Sequence, residues 1–199
     1  MDNKQQSPAF GVILLSQSLI VAAGGLFLWA LDVRLPNANI DLLRAIAAGV
    51  LLAIATFLIF VLVYRFGGTF ARSLLNDLNR VSWIFNGYSW IHISCVALLA
   101  GVGEELLFRG FLQTWLDRHL SIVWAILFSS VIFGLLHYLS HAYFICTILM
   151  SIALGVGYYL SGSLLMVMVW HGVYDFIALV VLVKFPHIID IASRKKNDV

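Results

Sequence analysis

The chain has 199 residues, 62% of them hydrophobic and 11% charged, with a mean hydropathy of +0.98. A soluble domain of this size carries about 45–50% apolar and about 25% charged residues, so this chain cannot cover itself with polar groups and most of its surface must meet lipid. The net charge of +2 is too small and too scattered for a nucleic-acid footprint.

Crossing the hydrocarbon core takes about 20 mainly apolar residues in a helix. Six stretches qualify: residues 10–31, 40–64, 90–116, 121–139, 142–160 and 164–184. The first follows Lys4 and exceeds the roughly 7–15 residue apolar core of a cleavable signal. It therefore reads as a retained span, with Ala22, Ala23, Gly24 and Gly25 as a small packing face. Between the second and third spans, Leu74, Leu75, Leu78 and Val81 recur at helical period beside Arg72, Asp77 and Arg80. That pattern predicts an amphipathic helix at the membrane surface. Trp83, Tyr88, Trp90, Trp115, Tyr138 and Tyr143 fall near span ends, as interfacial anchors do. The last three spans are joined by links around His119, around Ser140 and His141, and at Ser161-Gly162-Ser163. Links so short make neighbouring helices antiparallel. The expected architecture is an all-α, polytopic transmembrane bundle of about six spans in a single domain, residues 1–199.

Lys4, Arg65, Arg72, Arg80 and the run Arg194, Lys195, Lys196 collect on one side; Arg34, Arg44 and Arg118 collect on the other. With an even number of spans this places both termini in the cytoplasm. Cys95 and Cys146 lie in apolar stretches with no disulfide or C-x-x-C spacing, and read as packing residues.

Against this background the ionisable residues at depth stand out. The only glutamates, Glu104 and Glu105, are adjacent and lie inside the third span with Arg109. On insertion scales each such charge costs about 2.5–3.5 kcal/mol at the helix centre. Glu105 and Arg109, four apart in acid-before-base order, share a helical face and can form an ion pair, whether structural or functional. Glu104 points about 100° away, with Phe108 four residues on. It is either a general base or a structural carboxyl hydrogen-bonded to a neighbouring helix. The fourth span brings His137, and the sixth brings His171 and Asp175 on one face. Each histidine alone could be an interhelical hydrogen-bonder. Three helices carrying such groups into lipid satisfy them most cheaply by turning them toward one another. His141 could share the face of His137 but falls in a link and is expected at the interface. His92, His119 and His187 receive no role.

The three pieces, Glu104-Glu105-Leu-Leu-Phe-Arg109, Phe133-Gly-Leu-Leu-His137 and His171-Gly-Val-Tyr-Asp175, resemble the signature of a membrane protease family. This is the CAAX prenyl endopeptidase and bacteriocin-processing family (CPBP, type II CAAX proteases, Abi), whose pattern is Glu-Glu-x-x-x-Arg, Phe-x-x-x-His and His-x-x-x-Asn or Asp. The resemblance covers residues 96–176, within a catalytic core at residues 89–184. It implies an intramembrane endopeptidase in which Glu104 and His137 activate water. His171 and Asp175 would stabilise the oxyanion, with Glu105 and Arg109 in support. Asp departs from the more usual Asn at 175; it donates only if protonated, and otherwise orients His171. The expected mechanism needs no cofactor. Zinc held by Glu104, His137 and His171 is the open alternative, although the H-E-x-x-H spacing is absent.

The implied substrate is a membrane-associated peptide or protein: a prenylated CAAX protein, a bacteriocin leader or a regulatory membrane protein. The lipid bilayer is a partner and nucleic acid is not. The expected location is a bacterial cell membrane. The competing readings are a non-catalytic scaffold or immunity-type protein and a proton or ion pathway. The pathway is disfavoured by the lack of an internal repeat or a proline-broken helix.

Overall fold

The structure, a computed structural model, describes residues 10–186. Lys4, His187 and the basic run Arg194, Lys195 and Lys196 lie outside the described residues. Within them the chain folds into α1 (Phe10–Ala30), α2 (Leu42–Phe66), α3 (Gly68–Ile84), α4 (Trp90–Asp117), α5 (Ile122–Leu136), α6 (His141–Ser161) and α7 (Leu164–Lys184), with no strand among the described residues. Asp41, Ser89, Ser140 and Ser163 precede α2, α4, α6 and α7, and each side chain accepts from a backbone N–H of the first turn. These caps satisfy donors that lipid cannot.

Five helices (α1, α2, α4, α6 and α7) are long and apolar enough to cross a membrane. Large side chains such as Leu15, Trp29, Leu58 and Phe66 stand on the outside, where only lipid accommodates them. The chain is an integral membrane protein. The fourth expected span is shorter than the hydropathy pattern implied. α5 has 15 residues, about 22 Å of rise against a hydrocarbon core of about 30 Å. The backbone leaves the helix at His137 and is extended at Ser140, where α6 is capped. Tyr138 and Leu139, apolar in sequence, thus belong to a link.

α7 is the central helix, packed chiefly against α4 and α2. The α4–α7 crossing is close: a Cβ on Gly101 would stand 2.7 Å from Gly172 Cα and 2.8 Å from Met168 O. Glycine is required there so that the two backbones can meet. α3 is amphipathic as expected, and protein covers its apolar stripe. Leu75 and Leu78 pack with Val181 and Leu182 of α7, and Phe57 and Phe60 of α2 lie against them.

Two expectations require correction. Only Gly24 of the predicted small-residue face is buried, against Leu106 and Leu107 of α4, while Ala22 and Gly25 are exposed. Four consecutive residues span about 300° of a helix and cannot share a face. Tyr88 is not an interfacial anchor; it is 5% exposed, in a cluster with Ile93, Val96 and Leu179.

Candidate active site

The third span does not continue as a regular α-helix past its acidic pair. Residues Leu106–Gln113 widen into a π-helix before the α-helix resumes at Thr114. Such widened turns are rare and cluster at functional sites. Thr114 Oγ1 donates to Arg109 O at 2.9 Å, occupying a carbonyl of the widened turn. From this segment two polar side chains reach α6 side by side. Arg109 Nη2 donates to Ser151 O and Ser151 Oγ, both at 2.8 Å, and Gln113 Nε2 donates to Gly155 O at 3.0 Å. Arg109 Nη1 also donates to Glu105 Oε1 at 2.9 Å. Both members of that pair are 0% exposed, so the expected ion pair exists and is fully buried.

The same Glu105 oxygen reaches the last helix. His171 Nδ1 lies 2.7 Å from Glu105 Oε1, and the carboxylate makes the ring nitrogen the donor. On the opposite side of the ring, His171 Nε2 is 3.4 Å from Asp175 Oδ2 and 4.0 Å from Glu104 Oε2. Adjacent glutamates on α4, pointing in different directions, therefore face opposite nitrogens of one imidazole. That ring has a close acceptor at each nitrogen, Glu105 at Nδ1 and Asp175 at Nε2, with Glu104 Oε2 just beyond hydrogen-bond reach.

Glu104 is buried, and its Oε2 has no hydrogen-bond partner in the protein. His137 faces it with Nε2 3.5 Å from Oε2. His137 Nδ1 lies 2.9 Å from Phe133 O; a carbonyl only accepts, so Nδ1 carries a hydrogen, and in the ring's neutral form the lone pair is at Nε2. The Phe-x-x-x-His spacing thus has a local cause. Phe133 closes the end of α5 over His137, its ring stacks on the imidazole at 4.3 Å, and the Arg109 guanidinium lies 5.2 Å from its centroid. The result is two acceptors, Glu104 Oε2 and His137 Nε2, converging on one point beside the His171 ring.

All six candidate residues come together: Glu104, Glu105, Arg109, His137, His171 and Asp175. His141 does not join them. It opens α6, is exposed, and lies 3.3 Å from Tyr138 Oη. His92 stacks on Phe10, and His119 lies tilted against Trp115. Cys95 and Cys146 are free thiols. Sequence reasoning missed three partners. Ser151 and Gln113 hold the widened turn, and Gln17 of α1 donates from Nε2 to Glu104 Oε1 at 3.4 Å. A glutamine inside a membrane span is itself a signal, because its amide is costly to leave unpaired there. Asp77, buried on α3, also accepts from Ser140 Oγ in the link that follows His137.

Zinc would take Glu104, His137 and His171. Ligand atoms around a tetrahedral zinc lie about 3.3 Å apart, given bonds of about 2.0–2.1 Å. His171 Nε2 stands 4.0 Å from Glu104 Oε2 and leans toward Asp175 instead. Among the described residues, no three His, Cys, Asp or Glu side chains form a group that could hold a metal ion. The residues do not fit zinc in this arrangement.

Residues 86–177 match the family model described as type II CAAX prenyl endopeptidase Rce1-like. A Bacillus subtilis (strain 168) protein described as "Uncharacterized protein YpbD" is 34% identical over 192 residues, covering 92% of this chain and 93% of that protein. No solved structure matches the chain. With the three motifs gathered on one buried cluster inside a helical membrane bundle, the chain belongs to the Rce1-like family of type II CAAX prenyl endopeptidases, a membrane protease family.

Proposed function

We propose that this protein is an intramembrane endopeptidase that hydrolyses a peptide bond of a membrane-associated substrate with water activated by Glu104 and His137. The observation that carries this reading is the convergence of two proton acceptors. Glu104 Oε2 has no partner, and His137 Nε2 faces it at 3.5 Å with its lone pair fixed by the bond from Nδ1 to Phe133 O. A water molecule has two hydrogens to give and meets both. Its oxygen is then free to attack the scissile carbonyl carbon while Glu104 takes its proton. His171, oriented through Nδ1 by Glu105, offers Nε2–H to the developing oxyanion. Collapse of the tetrahedral intermediate breaks the C–N bond. The proton passes from Glu104 to the leaving nitrogen and the remaining hydroxyl proton passes to His137 Nε2, yielding a carboxylate and an amine.

Asp175 acts in this scheme as the acceptor that holds His171 Nε2–H before substrate arrives. Arg109 neutralises Glu105, and Ser151 fixes Arg109. Metal plays no part in any step.

The cell membrane of a bacterium is the proposed location, with both termini cytoplasmic. α5 together with its extended link to Ser140 would make the fourth of six crossings, and Arg65, Arg72 and Arg80 then lie on the termini's side. Reporter fusions active only in the cytoplasm, placed at each end, should both be active; one silent end overturns the topology.

Wild type, Glu104→Gln and His137→Ala, reconstituted in liposomes, would be offered three fluorescence-quenched peptides. One ends in a farnesylated Cys-aliphatic-aliphatic-Met sequence, one is a bacteriocin leader, and one is an unmodified membrane-spanning helix. Cleavage of at least one by wild type, and a loss of 100-fold or more in both variants at unchanged melting temperature, is the expected result. Equal rates in the three proteins overturn the mechanism. Cleavage by none of them favours a scaffold that retains the polar cluster.

A further inference from the structure

Outside the residues that match the family model, one side chain reaches the cluster from the first helix. α1 carries three consecutive polar residues, Ser16, Gln17 and Ser18. The two serines satisfy themselves within α1: Ser16 Oγ donates to Ile13 O and Ser18 Oγ to Leu14 O, each at 2.8 Å. Gln17 instead extends its amide across the helix interface, and Nε2 lies 3.4 Å from Glu104 Oε1. The carboxylate assigns the amide orientation, because only the NH₂ end can donate. The other end, Gln17 Oε1, is buried without a protein partner.

The backbone of α1 is built to bring Gln17 there. A Cβ on Gly103 would stand 2.9 Å from Val21 Cγ2, 3.2 Å from Val21 N and 3.4 Å from Gln17 O. A Cβ on Gly24 would stand 3.1 Å from Leu107 N, in the widened turn. Gln17, Val21 and Gly24 lie at i, i+4 and i+7, so the face of α1 that docks on α4 is the one carrying the glutamine.

We infer that Gln17 is a positioning residue for Glu104. By donating to Oε1 it occupies one oxygen and fixes the carboxylate plane, leaving Oε2 as the oxygen that faces His137 and His171. This rests on the reading of Glu104 as the proton acceptor, and it extends the functional unit beyond the matched residues to the first span. A bond donated to the carboxylate favours its charged form.

The test uses the full-length protein in liposomes and dicyclohexylcarbodiimide, an apolar reagent that modifies protonated carboxyls within bilayers. Labelling at pH 7 is followed by peptide mass spectrometry, with Glu105 as the internal control. Gln17→Met keeps side-chain length and removes the donor. The expected result is labelling of Glu104 at least threefold faster than in wild type, with Glu105 labelling and melting temperature unchanged. Gln17→His, which restores a donor, should bring the rate back toward wild type.

Equal labelling of Glu104 in wild type and Gln17→Met, including none in either, overturns the inference. So does a parallel rise at Glu104 and Glu105, which reports a loosened bundle. On whichever quenched peptide wild type cleaves, Gln17→Met should lower kcat about tenfold at unchanged KM; a change in KM alone overturns the positioning role. The labelling result stands even if no peptide is cleaved, so failure of the protease reading and failure of this inference are distinguishable.

Discussion

Glu105 on α4 holds His171 on α7 through a 2.7 Å contact from Oε1 to Nδ1, and the same oxygen accepts from Arg109 at 2.9 Å. One fully buried carboxylate therefore does two jobs. It neutralises a guanidinium that lipid would not tolerate, and it orients an imidazole whose other nitrogen faces Glu104 and Asp175.

These jobs separate on mutation. Glu105→Leu leaves Arg109 buried without a counter-charge, a change that costs about 3–5 kcal/mol. Its melting temperature should fall steeply and hydrolysis should be lost. Adding Arg109→Met removes the stranded charge and replaces the pair with apolar groups of similar volume, often a neutral exchange. The double variant should therefore regain most of the thermal stability. It should stay at least tenfold slower than wild type, because nothing then holds His171 Nδ1. Recovery of full activity along with stability would show that Glu105 serves packing alone.

The contact also depends on how closely two backbones approach. A methyl at 101 meets Gly172 Cα and N at 2.7 Å, and backbone cannot rotate out of the way. Gly101→Ala should force α4 and α7 apart, at about 1–3 kcal/mol of overpacking strain, and the rate should fall further than stability does. Gly25→Ala is the matched control: no atom lies within 4 Å of its Cβ, and helix propensity favours alanine by about 1 kcal/mol. Melting curves and initial rates of the two variants, run side by side, check this. Unchanged kinetics in Gly101→Ala would show that the crossing does not control the site.

Much of this site was legible in the sequence because lipid penalises charge so heavily. Glu104, Glu105, Arg109, His137, His171 and Asp175 were conspicuous as ionisable residues in apolar runs, and the energetic demand that they converge is what the bundle satisfies. The i, i+4 rule gave the Glu105–Arg109 pair because it is local. Which acid faces which histidine was not legible, because that depends on the angle at which α4 crosses α7. The widened turn Leu106–Gln113 left no mark in the hydropathy pattern. Nor did the end of α5, since Tyr138 and Leu139 are as apolar as the helix before them. Gln17 was visible but unread; a lone amide in a span has no periodic partner to give it away.

Position 175 carries Asp where the family pattern admits Asn or Asp. Its carboxylate is 3.4 Å from His171 Nε2, the nitrogen proposed to turn toward the oxyanion. Asparagine can accept from His171 through its oxygen and donate to the oxyanion through its nitrogen. Asp175→Asn should therefore retain activity within about threefold of wild type, a difference of roughly 0.6 kcal/mol. Asp175→Leu, of similar size and without polar atoms, should lose about 100-fold, as sites do when one oxyanion-stabilising group is removed. Equal loss in both would mean that the negative charge itself is needed at 175.

Metal dependence follows from distances as well. Glu104, His137 and His171 do not close into a three-ligand set, since His171 Nε2 stays 4.0 Å from Glu104 Oε2 and lies nearer Asp175 Oδ2, at 3.4 Å. Prolonged treatment with a strong chelator should leave hydrolysis intact, and elemental analysis of active protein should find zinc well below one ion per chain. His171→Asn bears on the same point from another direction. It removes a zinc ligand but keeps a hydrogen-bond donor, so a metal-free mechanism predicts residual activity above that of Glu104→Gln. Zinc at one ion per chain, with activity lost on chelation and restored by zinc alone, would overturn a mechanism in which Glu104 and His137 activate water unaided.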